Sequence, residues 1–306
     1  METLPPVPKL GVGLLYQGQL RPFIERERDL FDFLELIPDI MWADLGYGRT
    51  PRFVEDEGEV SYIRRLRAEM PVILHSIGFS VGSAHRFDRE HIEQMARWHD
   101  LLKFPWHSDH LAFMFAEHGA GELNAGVTMP LPYDEETVEL LAPRIRAMRA
   151  RVPAPFLVEN NVYFFKYEGQ DYDEVTFLNR LCEVSGCRLL LDLHNLYTNC
   201  RNHREDPYAM LGRLNLENVF EIHVAGGFEH EGFYYDAHSG ASPPEVWGLL
   251  DWALPRCPNL GGVVFEMIGS WLVRVGEQGV RAQLSRMKEL WARHQPAPAR
   301  AGEVAA

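Results

Sequence analysis

The chain reads as a TIM (β/α)8 barrel of the α/β class, and three observations carry that expectation. Eight short apolar runs alternate with segments of helical period, a rhythm that implies parallel pairing. The runs are hydrophobic almost throughout, as in Leu189-Leu190-Leu191 and Val263-Val264-Phe265, which implies burial on both faces. Eight such units close a barrel. The competing open sheet lacks its Gly-x-Gly-x-x-Gly signal at the first turn.

Taken in order, the expected strands are residues 10–15, 31–37, 71–77, 103–107, 155–159, 188–193, 219–224 and 262–268. The clearest helical patterns are 60–69, 88–102, 135–151, 172–184, 243–254 and 278–294. Asp88-Arg89-Glu90 and Asp134-Glu135-Glu136 put acids where a helix dipole favours them. Ser242-Pro243-Pro244-Glu245 reads as a capping serine, first-turn prolines and a capping-box glutamate. The long connections, 38–59, 108–134 and 225–242, follow the second, fourth and seventh strands and fall on the C-terminal rim of a barrel. Residues 1–294 are expected to form one domain, with 295–306 as a disordered tail rich in Pro and Ala.

Composition narrows the class. The 306 residues are 46% hydrophobic, enough for a large core, and the net charge is −14. No Lys/Arg-rich run is present, which argues against phosphate-driven nucleic-acid binding. The cysteines Cys182, Cys187, Cys200 and Cys257 are scattered, without a CxxC pair, which suits a reducing compartment. The N-terminus lacks the basic and apolar regions of a signal peptide, and no apolar run is long enough to span a bilayer. A soluble, cytoplasmic protein is expected.

The stretch 220–238 holds the first chemical signal. His223 sits near the end of an apolar strand, and Asp236-x-His238 follows a pair of glycines. Residues two apart in extended chain point the same way, so Asp236 and His238 can converge. Such N and O donors without sulfur suit a borderline metal ion. The other strand ends repeat the signal. The third ends at His75, and the fourth leads into His107-Ser108-Asp109-His110. The fifth ends at Glu159, the sixth at Asp192-Leu193-His194-Asn195, and the eighth at Glu266. Six consecutive strands thus deliver a His, Asp or Glu to the rim where barrel active sites are built. Buried carboxylates are costly unless paired or metal-bound. Two or three clustered ions bridged by carboxylates would offset that cost. The bland alternative is pairing with rim arginines. By spacing, His194 shares a face with Asp192 and is the better candidate than Asn195 unless the chain turns inward; His107 and His110 cannot be separated. His85, His91, His99, His118, His203, His230 and His294 read as surface residues. The aromatics Phe104, Trp106, Phe113, Phe115, Tyr163, Phe164 and Phe165 read mainly as core.

These motifs resemble the DUF692 family, the multinuclear non-haem iron-dependent oxidases that include the methanobactin-biosynthesis oxidase. The resemblance runs over about 11–287. It rests on Leu74-His75-Ser76-Ile77-Gly78-Phe79-Ser80, Ser108-Asp109-His110-Leu111, Val158-Glu159-Asn160, Asp192-Leu193-His194-Asn195, Glu221-Ile222-His223-Val224-Ala225-Gly226 and Asp236-Ala237-His238. It implies a TIM barrel holding two or three irons. His75 and His110 would hold one, with Glu159 bridging. Asp192, His223 and Glu266 would hold the second, and Asn195, Asp236 and His238 the third. The family pattern thus favours His110 over His107, and Asn195 over His194. It also implies O2-dependent oxidation of cysteine, or sometimes another residue, in a ribosomally made precursor peptide, often with a separate partner protein that presents the peptide. Two positions depart from the pattern: Ser76 stands where glycine is frequent, and Glu266-Met267-Ile268 lacks a following acid. The rival functions are a metal-dependent hydrolase or isomerase of the endonuclease IV or xylose isomerase type, and a metal-binding or peptide-escort protein without turnover.

Overall fold

The computed structural model describes residues 7–119 and 121–297. Its eight long-range strands are all parallel and close on themselves, each pairing with its sequence neighbour and the first with the eighth. They are Gly11–Leu15, Phe33–Leu36, Val72–Ser76, His107–His110, Phe156–Glu159, Arg188–Asp192, Val219–Val224 and Gly262–Phe265. The protein is therefore a TIM barrel.

Seven strands fall inside the expected runs. The fourth does not, because it is the polar tetrapeptide His107–His110, beyond the apolar run 103–107. Lys103 takes a left-handed conformation and closes the helix Arg89–Leu102, so residues 104–106 serve as connection. Apolarity marked the approach to this strand because Phe104 and Trp106 are core residues, while the strand itself carries chemistry.

The helices Glu57–Glu69, Arg89–Leu102, Glu135–Arg151, Glu174–Ser185, Pro244–Ala253 and Leu272–His294 cover the expected segments. Asp56, Asp88, Asp134 and Asp173 each accept backbone N–H bonds in the first turn, which satisfies donors a helix start leaves orphaned. Ser242 is not the cap: Pro243 occupies that position, and the Ser242 N–H donates to Gln283 Oε1 instead. Three further helices, Arg21–Arg26, Leu193–His203 and Pro207–Arg213, lie outside the expected segments, although Leu193, Leu196, Tyr197 and Cys200 of the second recur at helical spacing and are buried.

Two cores result. A small one fills the barrel, from Leu15, Phe33, Ile73, Trp106, Leu157, Leu190, Phe220 and Val264. A larger one lies between barrel and helices. The Phe33 ring plugs the barrel because Gly13 and Gly262 leave room; a Cβ would stand 2.5 Å from it at Gly13 and 2.6 Å at Gly262. All three long rim connections carry antiparallel hairpins: Trp42–Asp44 with Phe53–Glu55, Phe113–His118 with Gly121–Met129, and Phe228–His230 with Phe233–Tyr235. Of the expected tail, Gln295 and Pro296 still bond back to Trp291, and 298–306 lie outside the described residues.

Candidate metal centre

Strand parity assembles the centre. Ile73, Trp106, Leu157, Leu190 and Val264 point into the barrel. Two residues later on each strand, the same inward direction falls to His75, Ser108, Glu159, Asp192 and Glu266. His110 follows Ser108 by another two, and His223 follows Glu221. The polar layer therefore sits directly above the apolar plug, at the C-terminal mouth.

Two sets of donors converge there within 4.8 Å, His75–His110–Glu159 and Glu159–Asp192–His223–Glu266. Glu159 Oε2 lies 3.4 Å from both His75 Nε2 and His110 Nε2. His223 Nδ1 lies 3.0 Å from Glu266 Oε2 and 3.9 Å from Glu159 Oε1 and Asp192 Oδ2. His238 Nε2 stands 3.3 Å from Asp236 Oδ1 and 3.2 Å from Glu266 Oε2. His238 holds its place at a φ of 45°, a conformation that L side chains adopt reluctantly and that clusters at functional sites.

Several donors are oriented from behind. Ser108 Oγ meets His75 Nδ1 at 2.8 Å, which turns Nε2 inward. Asp192 Oδ1 caps the helix Leu193–His203 through the Asn195 N–H at 2.7 Å, which leaves Oδ2 free. Asn195 Nδ2 donates to the Asn160 carbonyl at 3.0 Å, which leaves Oδ1 free. His75 Nε2, Glu159 Oε2, Asp192 Oδ2, Asn195 Oδ1 and His238 Nε2 are buried without a hydrogen-bond partner. Orphaned atoms on this scale are costly, and metal ions satisfy N and O donors of this kind. Among the described residues no arginine or lysine pairs with any of the nine, so the bland alternative of rim ion pairs does not hold.

The geometry separates the ambiguous pairs. The sixth strand ends at Asp192 and the chain turns helical at Leu193, so extended-chain spacing fails there. His194 uses both nitrogens elsewhere, on Asp236 Oδ1 at 2.8 Å and the Tyr234 hydroxyl at 3.3 Å. Asn195 lines the mouth instead, with Glu159, Asp236 and His238. His107 and His110 are three apart on one strand and face opposite ways. His107 packs outside the barrel against Phe104 and Phe156. His91 is not a surface residue: it is buried, with Nε2 3.1 Å from Ser76 Oγ, behind the third strand. Of the aromatics, Phe104, Trp106 and Tyr163 are buried, whereas Phe164 and Phe165 are exposed at the mouth.

Two acids were not anticipated as site residues, Glu35 on the second strand and Glu221 on the seventh. Both are fully buried, and His223 Nε2 meets them at 3.1 and 3.3 Å. Trp106 Nε1 donates to Glu221 Oε2 at 2.8 Å. With Nδ1 turned to the mouth, Nε2–H of His223 is held by carboxylates, the usual support of a metal-bound imidazole. The missed signal was Phe33-Leu34-Glu35-Leu36, an acid in phase with an inward Phe.

The charges divide by side. Burial, then His110 and His223, keep His75 well below its usual range, and burial likewise lowers His110. Both imidazoles are thus neutral, as ligation requires. Burial opposes charge on His223 and His238 too, but Glu35 and Glu266 for the first, and Asp236 and Glu266 for the second, raise them well above it. Burial raises Glu159 and Asp192, and neighbouring acids add to it. For Glu266 burial is outweighed by His238 and His223, which hold its carboxyl well below the usual range.

The mouth opens into a groove of about 340 Å³ between residues 127–130, residues 161–165 and Asp236–His238. Phe164 packs on Tyr235 and Phe233 at 5.3 and 6.3 Å between ring centres, giving the groove an aromatic wall. The cysteines are free and buried, and none is a site donor. Among the described residues no helix is long and apolar enough to cross a membrane.

Solved structures share the fold. A D-psicose 3-epimerase from Clostridium cellulolyticum superposes with a TM-score of 0.54 over 92% of this chain and 99% of its own, at 13% identity. Endonuclease IV from Thermus thermophilus gives 0.51 over 89% and 99%, at 17% identity. At such identities the likeness is one of fold. Sequence relatives are nearer. A UPF0276 protein of Caulobacter vibrioides is 32% identical over 254 residues, 83% of this chain and 85% of that one. A UPF0276 protein of Shewanella oneidensis is 31% identical over 245 residues, 79% and 81% of the two. Residues 9–268 match the family described as RiPP precursor modification enzyme MbnB/TglH/ChrH. With most of its length matched, the chain belongs to this DUF692 family of enzymes that modify ribosomally made peptide precursors.

Proposed function

We propose that the protein is a multinuclear non-haem iron-dependent oxidase that uses O2 to modify cysteine in a ribosomally made peptide. The observation that carries this reading is the set of nitrogen and oxygen donors with orphaned buried atoms at the mouth, without an arginine or lysine partner among the described residues, in a chain of a peptide-modifying family. The donor set fits iron: imidazole and carboxylate suit it, and no protein thiolate is present to select a softer ion. His75 and His110 would hold one ion with Glu159 as bridge, and Asp192, His223 and Glu266 a second. Asn195, Asp236 and His238 would hold a third. Bound there, iron supplies redox chemistry with O2 and a seat for the substrate thiolate.

The chain's own residues do the remainder. Ser108 and Glu35 fix the two central imidazole rings. His194 orients Asp236. The aromatic wall and the hairpin at 113–129 would grip an extended peptide and limit water, so that its cysteine is held in one orientation. A separate protein that presents the peptide, which the family resemblance implies, would find a surface on the exposed hairpins. The test is to load the protein with Fe(II), add the Cys-containing peptide encoded beside its gene, and weigh the product in air and under nitrogen. A mass change confined to air, and lost when the peptide's cysteines become serine, supports the reading. A change that persists without O2 sinks it and favours a metal-dependent hydrolase or isomerase.

A further inference from the structure

Beside the groove lies a larger cavity, about 630 Å³, on the flank of the barrel mouth. The two share Pro130, Tyr163 and Phe165. Tyr133, Tyr163, Phe165, Tyr167 and Tyr172 line it beside Leu131, Ala209 and Met210, so much of its apolar surface is aromatic. Its charged lining is lopsided. The acids are Asp171, Asp173, Glu174, Glu205 and Asp206, and the bases are Lys166 and Arg213. Both bases are already engaged, Lys166 on Glu205 at 2.6 Å and Arg213 on Asp173. Asp206 caps the helix Pro207–Arg213. Asp171 and Glu174 are left without a cation among the described residues.

Glu174 is the decisive residue. It is 4% exposed, one carboxylate oxygen accepts the Tyr163 hydroxyl at 3.2 Å, and the other has no partner. Its place in the first turn of a helix explains an acid, but not a buried oxygen left unpaired. Burial pushes its carboxyl up to about 8, so at neutral pH the acid is largely protonated for want of a compensating positive charge. A cation would supply that compensation, and the surrounding ring faces attract one as well. Lys166 Nζ already stands 5.6 Å over the Tyr163 ring at this cavity.

We infer that this cavity is a binding site for an organic cation, the ammonium or guanidinium of a lysine or arginine side chain on the peptide that lies across the metal mouth. Assigning the cation to that peptide rests on the function proposed above; the cavity's preference for a cation does not. Because the two spaces share a wall, one extended chain can place its reacting residue in the groove and a basic residue a short distance away in the cavity. The basic residue would act as an anchor that sets which residue reaches the metal.

The test uses probes without cysteine and needs no turnover. Binding of Nα-acetyl-lysine amide and of its neutral counterpart Nα-acetyl-norleucine amide to the metal-loaded protein is measured by calorimetry and by ligand-observed NMR. The lysine probe should bind roughly tenfold more tightly, as an ion–aromatic contact plus a charge pair implies. Glu174→Gln should abolish the difference while leaving metal content intact. Tyr167→Leu, at the half-exposed edge, should reduce it and serves if the buried variant does not fold. Equal binding of the two probes overturns the inference, as does a preference that survives both variants. Failure of the air-dependent mass change, with the lysine preference intact, would instead remove the oxidase reading and leave a cation site.

Discussion

The two sides of the barrel mouth hold the same side chain in opposite states. On the third and fourth strands, His75 and His110 are neutral: hydroxyl and carbonyl groups back them, and only Glu159 faces them closely. On the seventh strand and the loop after it, His223 and His238 stand among Glu35, Glu221, Asp236 and Glu266, which favour their charged forms. Residue type therefore does not set the state of these imidazoles; the second neighbour does. A metal ion entering the first side meets ready ligands. On the second side it must displace protons, so binding there should weaken more steeply as pH falls.

Removing the shared residue is the largest test of this contrast. Glu159 touches both sides, so Glu159→Ala should weaken metal binding roughly 100-fold or more on each. Elemental analysis after iron loading and dialysis reads the outcome; a full complement retained on the His223 side would make the two sides independent. The supporting residues give a smaller and divided effect. Ser108→Ala should weaken only the His75 side, and Glu35→Gln only the His223 side, each by about 10- to 100-fold. Two-phase metal titrations of both variants would tell whether the losses fall on different phases as expected.

The third test leaves the metal aside and asks what burial alone does to a histidine. His107, outside the barrel with both nitrogens unpartnered, is pushed by burial down to about 3. Its folded value is thus below its unfolded value of about 6.5, and the unfolded chain binds the extra proton. Stability is complete above that unfolded value and falls as pH drops from about 6.5 towards 3, by up to about 1.4 kcal/mol per pH unit. His107→Leu should flatten this part of the acid limb in denaturant titrations run at several pH values; an unchanged slope would mean His107 is not the group responsible. The smallest effect contrasts two histidines that look alike in sequence. His91→Ala removes a buried bond behind the third strand and should cost about 1–3 kcal/mol in urea unfolding. His294→Ala, on a partly exposed ion pair with Asp251, should stay within about 0.5 kcal/mol.

Legibility followed apolarity. Seven strands and six helices announced themselves because each buries an apolar face, and the alternation of runs is a local property of the chain. The fourth strand did not, because its His-Ser-Asp-His is polar and spent on chemistry, and the helix Leu193–His203 was masked because it starts directly on Asp192 at the end of the sixth strand and mixes apolar Leu193, Leu196, Tyr197 and Cys200 with buried Asn195 and Asn199. The site was visible as acids and histidines ending apolar runs. Glu35 escaped notice because it sits within a run, not at its end.

By itself the sequence determined the barrel, through eight buried strands, and it marked most of the candidate donors, through strand-end residues whose burial would be costly without a partner. The tertiary structure decided which neighbour each donor meets. His194 and Asn195 differ by one position, yet a helix starting at Leu193 turns one to Asp236 and the other to the mouth. His107 and His110 differ by three, and strand parity sends them to opposite faces. The protonation of His223 depends on Glu35, 188 residues away in the chain and 3.1 Å away in space. Such choices rest on distances between strands that meet only when the barrel closes, and no local pattern in the chain encodes them.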